Sequence, residues 1–210
     1  RVPRLGRAFR VGYRALLEGR LNVSPKLAGL VEYGGTYPRA YLLKRSVFMP
    51  WELSAVMGPA AAREGLALLE PLALVQAALE PDPATPYARM AALEACLYMK
   101  NQLLRDSDWA SMAHSLEVRV PFVDVALLRS LAPVFAAEQQ LNAKRLVANS
   151  PDRPLPSSVV DRPKTGFAVP VKSWVEQDSE LSSWRRVPAL ARPGCHWSRR
   201  LAFALLNPQQ

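Results

Sequence analysis

Residues 87–104 read Tyr-Ala-Arg-Met-Ala-Ala-Leu-Glu-Ala-Cys-Leu-Tyr-Met-Lys-Asn-Gln-Leu-Leu. Its apolar residues, Met90, Leu93, Cys96, Leu97, Leu103 and Leu104 among them, fall on nearly every side of a helix rather than along one stripe. A helix apolar all round is normally central to a core, so the segment is expected to be one long helix, buried on most of its circumference. Pro81, Pro83 and Pro86 lead into it as a rigid linker. Downstream, Glu117-Val118-Arg119-Val120 alternates and is closed by Pro121. That pattern reads as short and extended, with Glu117 and Arg119 on one side and Val118 and Val120 facing the core. Val125–Leu131 returns to helix. Past Pro133 the chain is expected to be loop-rich, punctuated by Pro151, Pro154, Pro156, Pro163 and Pro170.

Toward the start, residues 4–19 place Leu5, Ala8, Phe9, Tyr13, Leu16 and Leu17 at three- and four-residue spacing, one face of a helix. Ser24-Pro25 suits a helix start, and Gly34-Gly35 ends that helix. Thr36-Tyr37-Pro38 and Pro50-Trp51 open two more, the second stopped at Gly58-Pro59. Ala60 to about Leu79 is helical with a break near Pro71. Residues 179–210, rich in Arg, Pro and Gly, read as a poorly ordered tail. The fold class expected is therefore mainly α-helical.

The chain has 210 residues, 50% of them hydrophobic and 21% charged, an ordinary globular composition. No run approaches the roughly 18 apolar residues of a membrane-spanning helix, so no membrane partner is expected. Cys96 and Cys195 lie in unlike settings and suggest reduced thiols and a cytoplasmic protein, not a disulfide framework. With only His114 and His196 beside them, no zinc site is expected. The chain begins with Arg1, inside an amphipathic pattern, and is expected to be cut from something longer.

Net charge is +9, and residues 1–45 carry ten Lys/Arg against Glu18 and Glu32. Such a segment suits nucleic acid, a phosphate-bearing ligand or an acidic protein face, or is a solvated arginine-rich helix. Nucleic acid is not expected, because aromatics are not interleaved with the arginines as a stacking platform requires.

Three segments carry candidate chemistry. Asp108-Trp109-Ala110-Ser111-Met112-Ala113-His114 runs directly into Ser115-Leu116-Glu117-Val118-Arg119-Val120-Pro121-Phe122-Val123-Asp124. Further on comes Arg162-Pro163-Lys164-Thr165-Gly166-Phe167-Ala168-Val169-Pro170, with Trp174 four residues later. Glu117 and Arg119 suit a charge pair, and Asp108 and Asp124 suit helix N-caps. Lys164 stands apart. Pro163 fixes the backbone before it, Gly166 permits close approach after it, and Phe167 and Val169 anchor the loop. A lysine held so stiffly suits a phosphate or a developing negative charge.

In this order, D-x-x-S-M-A-H, S-L-E-V-R-V-P-F-x-D and R-P-K-T-G-F-x-V-P-x-x-x-W resemble the synthetase domain of the glutamine-hydrolysing asparagine synthetases. The resemblance is tightest over residues 87–176. It implies that residues 1–178 are the C-terminal part of an α/β, adenine-nucleotide-hydrolase-like (ATP-pyrophosphatase) synthetase domain. Members adenylate a carboxylate with ATP and Mg²⁺, release pyrophosphate, and let ammonia from an N-terminal glutaminase domain attack. By the resemblance Lys164 is the catalytic lysine beside the phosphates, supported by Thr165, Gly166 and Phe167. Asp106, Asp108, Trp109, Ser111, Met112, Glu117, Arg119 and Asp124 become site wall and scaffold.

The family's S-G-G-x-D-S pyrophosphate loop and acidic G-x-G-G-D-E segment do not occur in these 210 residues. ATP and Mg²⁺ are thus expected in a full-length parent and not on this piece alone. Its expected partners are the N-terminal half, with pyrophosphate loop and glutaminase, and a small-molecule carboxylate, aspartate by default. Two departures bear on substrate: Asp106 and Trp109 stand where asparagine synthetases usually carry cations. Arg–carboxylate pairs are specific and bidentate, so their loss disfavours aspartate and raises a sugar or peptide carboxylate as the alternative. A non-catalytic basic helical binding module is the reading from another class.

Overall fold

The computed structural model describes residues 3–17, 25–137, 143–163 and 169–206, and among them there are helices and turns but no strand. The loop Lys164–Ala168 lies outside the described residues. The chain divides into two compact units, Arg1–Ala77 with Val169–Gln210, and Ala78–Ala168.

In the first unit, α1 (Pro3–Leu17) packs on α2 (Leu30–Tyr33), which a 3₁₀ turn over Pro25–Gly29 precedes. Proline within the first two positions opens α3 (Tyr37–Arg45), where its missing N–H is no loss. A 3₁₀ turn at Pro50–Glu52 leads into α4 (Leu53–Met57). Gly58, at φ +86, a conformation strained for any side chain, turns the chain into α5 (Pro59–Leu69). The break expected near Pro71 occurs there, with Glu70 left-handed between α5 and α6 (Pro71–Ala77). Tyr33, Leu43 and Met49 form one core cluster, with Leu42 and Trp51 against it.

The second unit is built on one continuous helical rod. It begins as α7 (Pro86–Leu93), widens to π-helical geometry over Glu94–Leu104, and tightens again into α8 (Arg105–Met112). Continuity matches the expectation for residues 87–104, but burial does not. Leu93 is fully buried, Leu97 and Leu104 are intermediate, and Cys96 and Leu103 are exposed. Beyond come α9 (Val125–Ala137), α10 (Ala143–Asn149) and α11 (Ser157–Val160). α9 runs through Pro133, where loop was expected. Proline there removes one backbone donor, and an apolar helix tolerates the defect when the bonds on either side persist.

The remaining elements return to the first unit and correct the reading of the tail. α12 (Val171–Gln177), a 3₁₀ turn over Ser182–Arg186, α13 (Pro188–Ala191) and α14 (Trp197–Leu206) bury Val175, Trp184, Leu190 and Ala204 together. Phe48 and Val56 of the N-terminal segment pack against that cluster. Glu52 ties the two ends of the chain, accepting from the Met49 backbone N–H at 2.9 Å and from Arg199 at 2.7 Å. Residues 181–206 are thus part of a core. Composition misled because two of the arginines that suggested disorder, Arg199 and Arg200, are drawn into this packing through Glu52 and Glu176. No helix among the described residues is long and apolar enough to cross a membrane.

Candidate active site

The approach to the motif region is fastened by charge. The Asp82 carboxylate takes both Arg89 donors, Nε and Nη2, at 2.7 Å, and also accepts from the Ala84 N–H at 3.1 Å. The Arg89 hydrogen bond, followed by that backbone bond, holds the Asp82 carboxyl below its ordinary range. Thr85 then caps α7, its hydroxyl accepting from Ala88 N–H at 3.1 Å.

Asp106, Asp108, Trp109, Ser111 and Met112 all ride on α8. Asp108 lies inside that helix and does not cap it, because the rod continues from Leu104 without a break. Its backbone carbonyl accepts from the Ser111 hydroxyl at 3.1 Å, so that hydroxyl is engaged with its own helix. Trp109 is 65% exposed. The Arg105 guanidinium sits 4.9 Å over its ring, and Arg105 Nε lies 3.7 Å from Asp106. Arg105 was not among the residues singled out from sequence. The available signal was the i, i+4 spacing of a cation and an indole, which puts them on one helix face.

After a turn at Ala113–Ser115, residues 116–120 run without helix, as the alternation implied. Arg119 Nε donates to Glu117 at 3.1 Å, the pair expected, but both side chains are largely exposed. An exposed pair of this kind contributes about 0–1 kcal/mol. Val118 and Val120, expected to face a core, are also exposed, as are Leu116 and Phe122. Period-two alternation identifies which side chains share a face, and not whether anything covers that face. Asp124 does cap α9, its Oδ1 accepting from Leu127 N–H at 2.9 Å.

The second unit therefore brings Asp106, Asp108, Trp109, Ser111 and Met112 onto one helix, and sets Glu117, Arg119 and Asp124 on the segment leading away. Lys164, Thr165, Gly166 and Phe167 are among the residues outside the description. Among the described residues no group of three or more His, Cys, Asp or Glu side chains gathers as a metal-ligand set.

The family model described as asparagine synthase matches residues 14–190. The chain belongs to the asparagine synthase family. It is similar, at 34% identity over 101 residues, to a putative asparagine synthetase (glutamine-hydrolyzing) of Mycobacterium tuberculosis (strain ATCC 25618 / H37Rv). That match covers 47% of this chain and 15% of the relative. It is 30% identical over 100 residues to asparagine synthetase (glutamine-hydrolyzing) 1 of Bacillus subtilis (strain 168), covering 47% of this chain and 16% of that protein. Within the asparagine synthase family, this chain thus matches a small fraction of these curated relatives' length. No solved structure matches it.

Proposed function

We propose that this chain is the C-terminal part of the synthetase domain of an ATP-dependent amidotransferase, which activates a carboxylate and joins it to glutamine-derived ammonia. Membership of the asparagine synthase family across residues 14–190 carries the reading. ATP supplies the activating group and the departing pyrophosphate. The chain's own contribution is Lys164, whose ammonium stabilises negative charge on the phosphates from a loop shaped by Pro163, Thr165, Gly166 and Phe167. A cation held in place before reaction needs no reorganisation as charge develops.

The partner in this proposal is an α/β nucleotide-binding half bearing the S-G-G-x-D-S loop, with a glutaminase domain beyond it. The bare apolar side chains of Leu116, Val118, Val120 and Phe122 support it, as do Val125, Leu128, Leu131 and Val134 of α9. Exposed apolar side chains in such number suit an interaction face. In this proposal Mg²⁺ goes with the nucleotide-binding half.

Aspartate is the default substrate. One observation favours a sugar or peptide carboxylate instead: the single arginine of α8, Arg105, is engaged by Asp106 and by the Trp109 ring. An indole beside two carboxylates offers little to an amino acid with two carboxylates of its own.

ATP–pyrophosphate exchange tests the proposal. The chain alone should stay at background, and a parent enzyme with the pyrophosphate loop should exchange in the presence of its acid. Turnover by the isolated chain, or a carboxylate-independent parent, would overturn it. Replacing aspartate by uronic acids in the same assay separates the two substrate readings.

A further inference from the structure

The middle of the rod is held in a geometry that its residues do not favour. Glu94–Leu104 is π-helical over eleven residues, between α7 and α8, which are ordinary α-helix. Runs of i→i+5 bonds are rare and short, and they recur at functional sites. Glu94, Ala95, Leu97, Met99, Lys100, Gln102, Leu103 and Leu104 are strong α-helix formers, and neither proline nor glycine interrupts them. Packing does not impose the wide turn either, since no residue of Glu94–Leu104 is buried. Just beyond its C-terminal end the Ser107 hydroxyl donates to the Leu103 carbonyl at 2.7 Å, a side-chain bond that competes with the α-helical ladder. A local preference at odds with the observed geometry marks a place where function sets the conformation.

The α register would change what the rod presents. At 100° per residue Leu93, Leu97 and Leu104 fall within about 40° of one another, a single seam. In the structure that seam is split: Leu93 is fully buried, whereas Leu97 and Leu104 are only half-buried. Each i→i+5 ring holds one residue more than an α-helical ring, so over eleven residues the two geometries differ by about half a turn. We propose that Glu94–Leu104 is a register switch, π-helical in this chain alone and α-helical once the nucleotide-binding half of the proposed enzyme docks. Tightening closes the leucine seam and rotates α8 on α7, which re-aims Asp106, Asp108, Trp109 and Ser111. A partner shifts the register only as far as it binds one form better, and the closed seam supplies that difference. The switch rests on the synthetase reading, which names that partner.

Paired histidines read the register. Residues five apart come together when bonds run i→i+5, and point about 140° apart at 100° per residue. Residues three apart share a face in the tighter helix and diverge in the wider one. Cys96, Lys100, Asn101 and Leu103 are all exposed, so both pairs below should melt close to wild type. Ni²⁺ titration calorimetry, with the wild-type chain as blank, gives the readout. In the chain alone, Cys96→His with Asn101→His should bind Ni²⁺ about tenfold or more tighter than Lys100→His with Leu103→His, because only there does the second imidazole bind intramolecularly. In the parent enzyme the order should reverse. Equal affinities or the opposite order in the chain alone, or the chain's order kept in the parent, would overturn the proposal. Pyrophosphate exchange by the parent separates the two readings: exchange without the reversal removes the switch alone, and the reversal without exchange removes the synthetase reading alone.

Discussion

Arg200 shows what becomes of the cationic surplus inside the molecule. It is nearly buried, and its Nε donates to the Leu190 carbonyl at 3.1 Å. The two Nη atoms donate to Glu176 at 2.9 Å and to the Arg192 carbonyl at 3.2 Å, while the plane stacks 4.2 Å over Trp184. A fork meets three acceptors here, so Arg200→Leu should cost about 1–3 kcal/mol by leaving the carbonyl of buried Leu190 without its donor, while the partly exposed Glu176 carboxylate turns to water. Arg200→Lys should recover little, since an ammonium cannot span those acceptors or stack; thermal melts of both variants check this. At Asp82 the expected readout is a titration. Its folded carboxyl pKa is depressed by the Arg89 bond, so the stabilisation it gives is complete above the unfolded value and is lost as pH falls through the folded one. Carbon-detected NMR should find Asp82 titrating below the ordinary aspartate range, and Arg89→Ala should return it to that range. For Lys164, Ala in the parent enzyme should lower single-turnover adenylation by about 10²–10³ without moving the melt. Lys164→Arg should rescue poorly, because a bulky planar fork does not replace a compact ammonium. Wild-type adenylation by the alanine variant would remove Lys164 from the mechanism.

Among elements, the rod Pro86–Met112 departs furthest from a simple helix. Its continuity follows from composition: no proline or glycine interrupts residues 87–112. Its π-helical middle does not, since π geometry is rare and is usually confined to a single turn. The rod is also less enclosed than its pattern implies, which alters where truncation should matter. Leu93→Ala should cost about 2–5 kcal/mol, as for a fully buried leucine. Leu97→Ala, at a partly open position, should cost clearly less. Parallel urea denaturation of the two variants checks the order, and equal losses would mean that Leu97 is as enclosed as Leu93. The C-terminal helices make the opposite case: a stretch that reads as tail holds Trp184 and Leu190 in a core. Its apolar residues are numerous, but Pro188, Pro193 and Gly194 cut the stretch into short pieces, and contact with Phe48 and Val56 gives them an inside.

For the molecule as a whole, the two units differ in what they bury. The first holds the clusters of buried side chains around Met49 and around Leu190. In the second, the described residues of 116–159 leave most of their large apolar side chains open to solvent. Segments with few buried apolar contacts open readily, so amide exchange should be fast over residues 116–134 and slow over α3, α12 and α14. Hydrogen-exchange mass spectrometry of the chain alone reads this directly. Strong protection across 116–134 would show that face to be covered already, and would remove the support it gives to a nucleotide-binding partner.

The helical class, the proline-set breaks, the Asp124 cap and the Glu117–Arg119 pair were legible in the sequence because each depends on residues a few positions apart. Family membership was legible for the same reason, in three short motifs whose order and spacing are specific. Burial was not. Whether Val118, Leu103 or Phe9 is covered depends on segments distant in the chain. The incorporation of residues 181–206 into a core depends on Phe48, Val56 and Glu52, more than a hundred residues away. Periodicity states which side chains share a face. Only the tertiary structure decides whether that face meets protein or water, because the hydrophobic driving force acts on area removed from solvent, wherever in the chain the covering atoms originate.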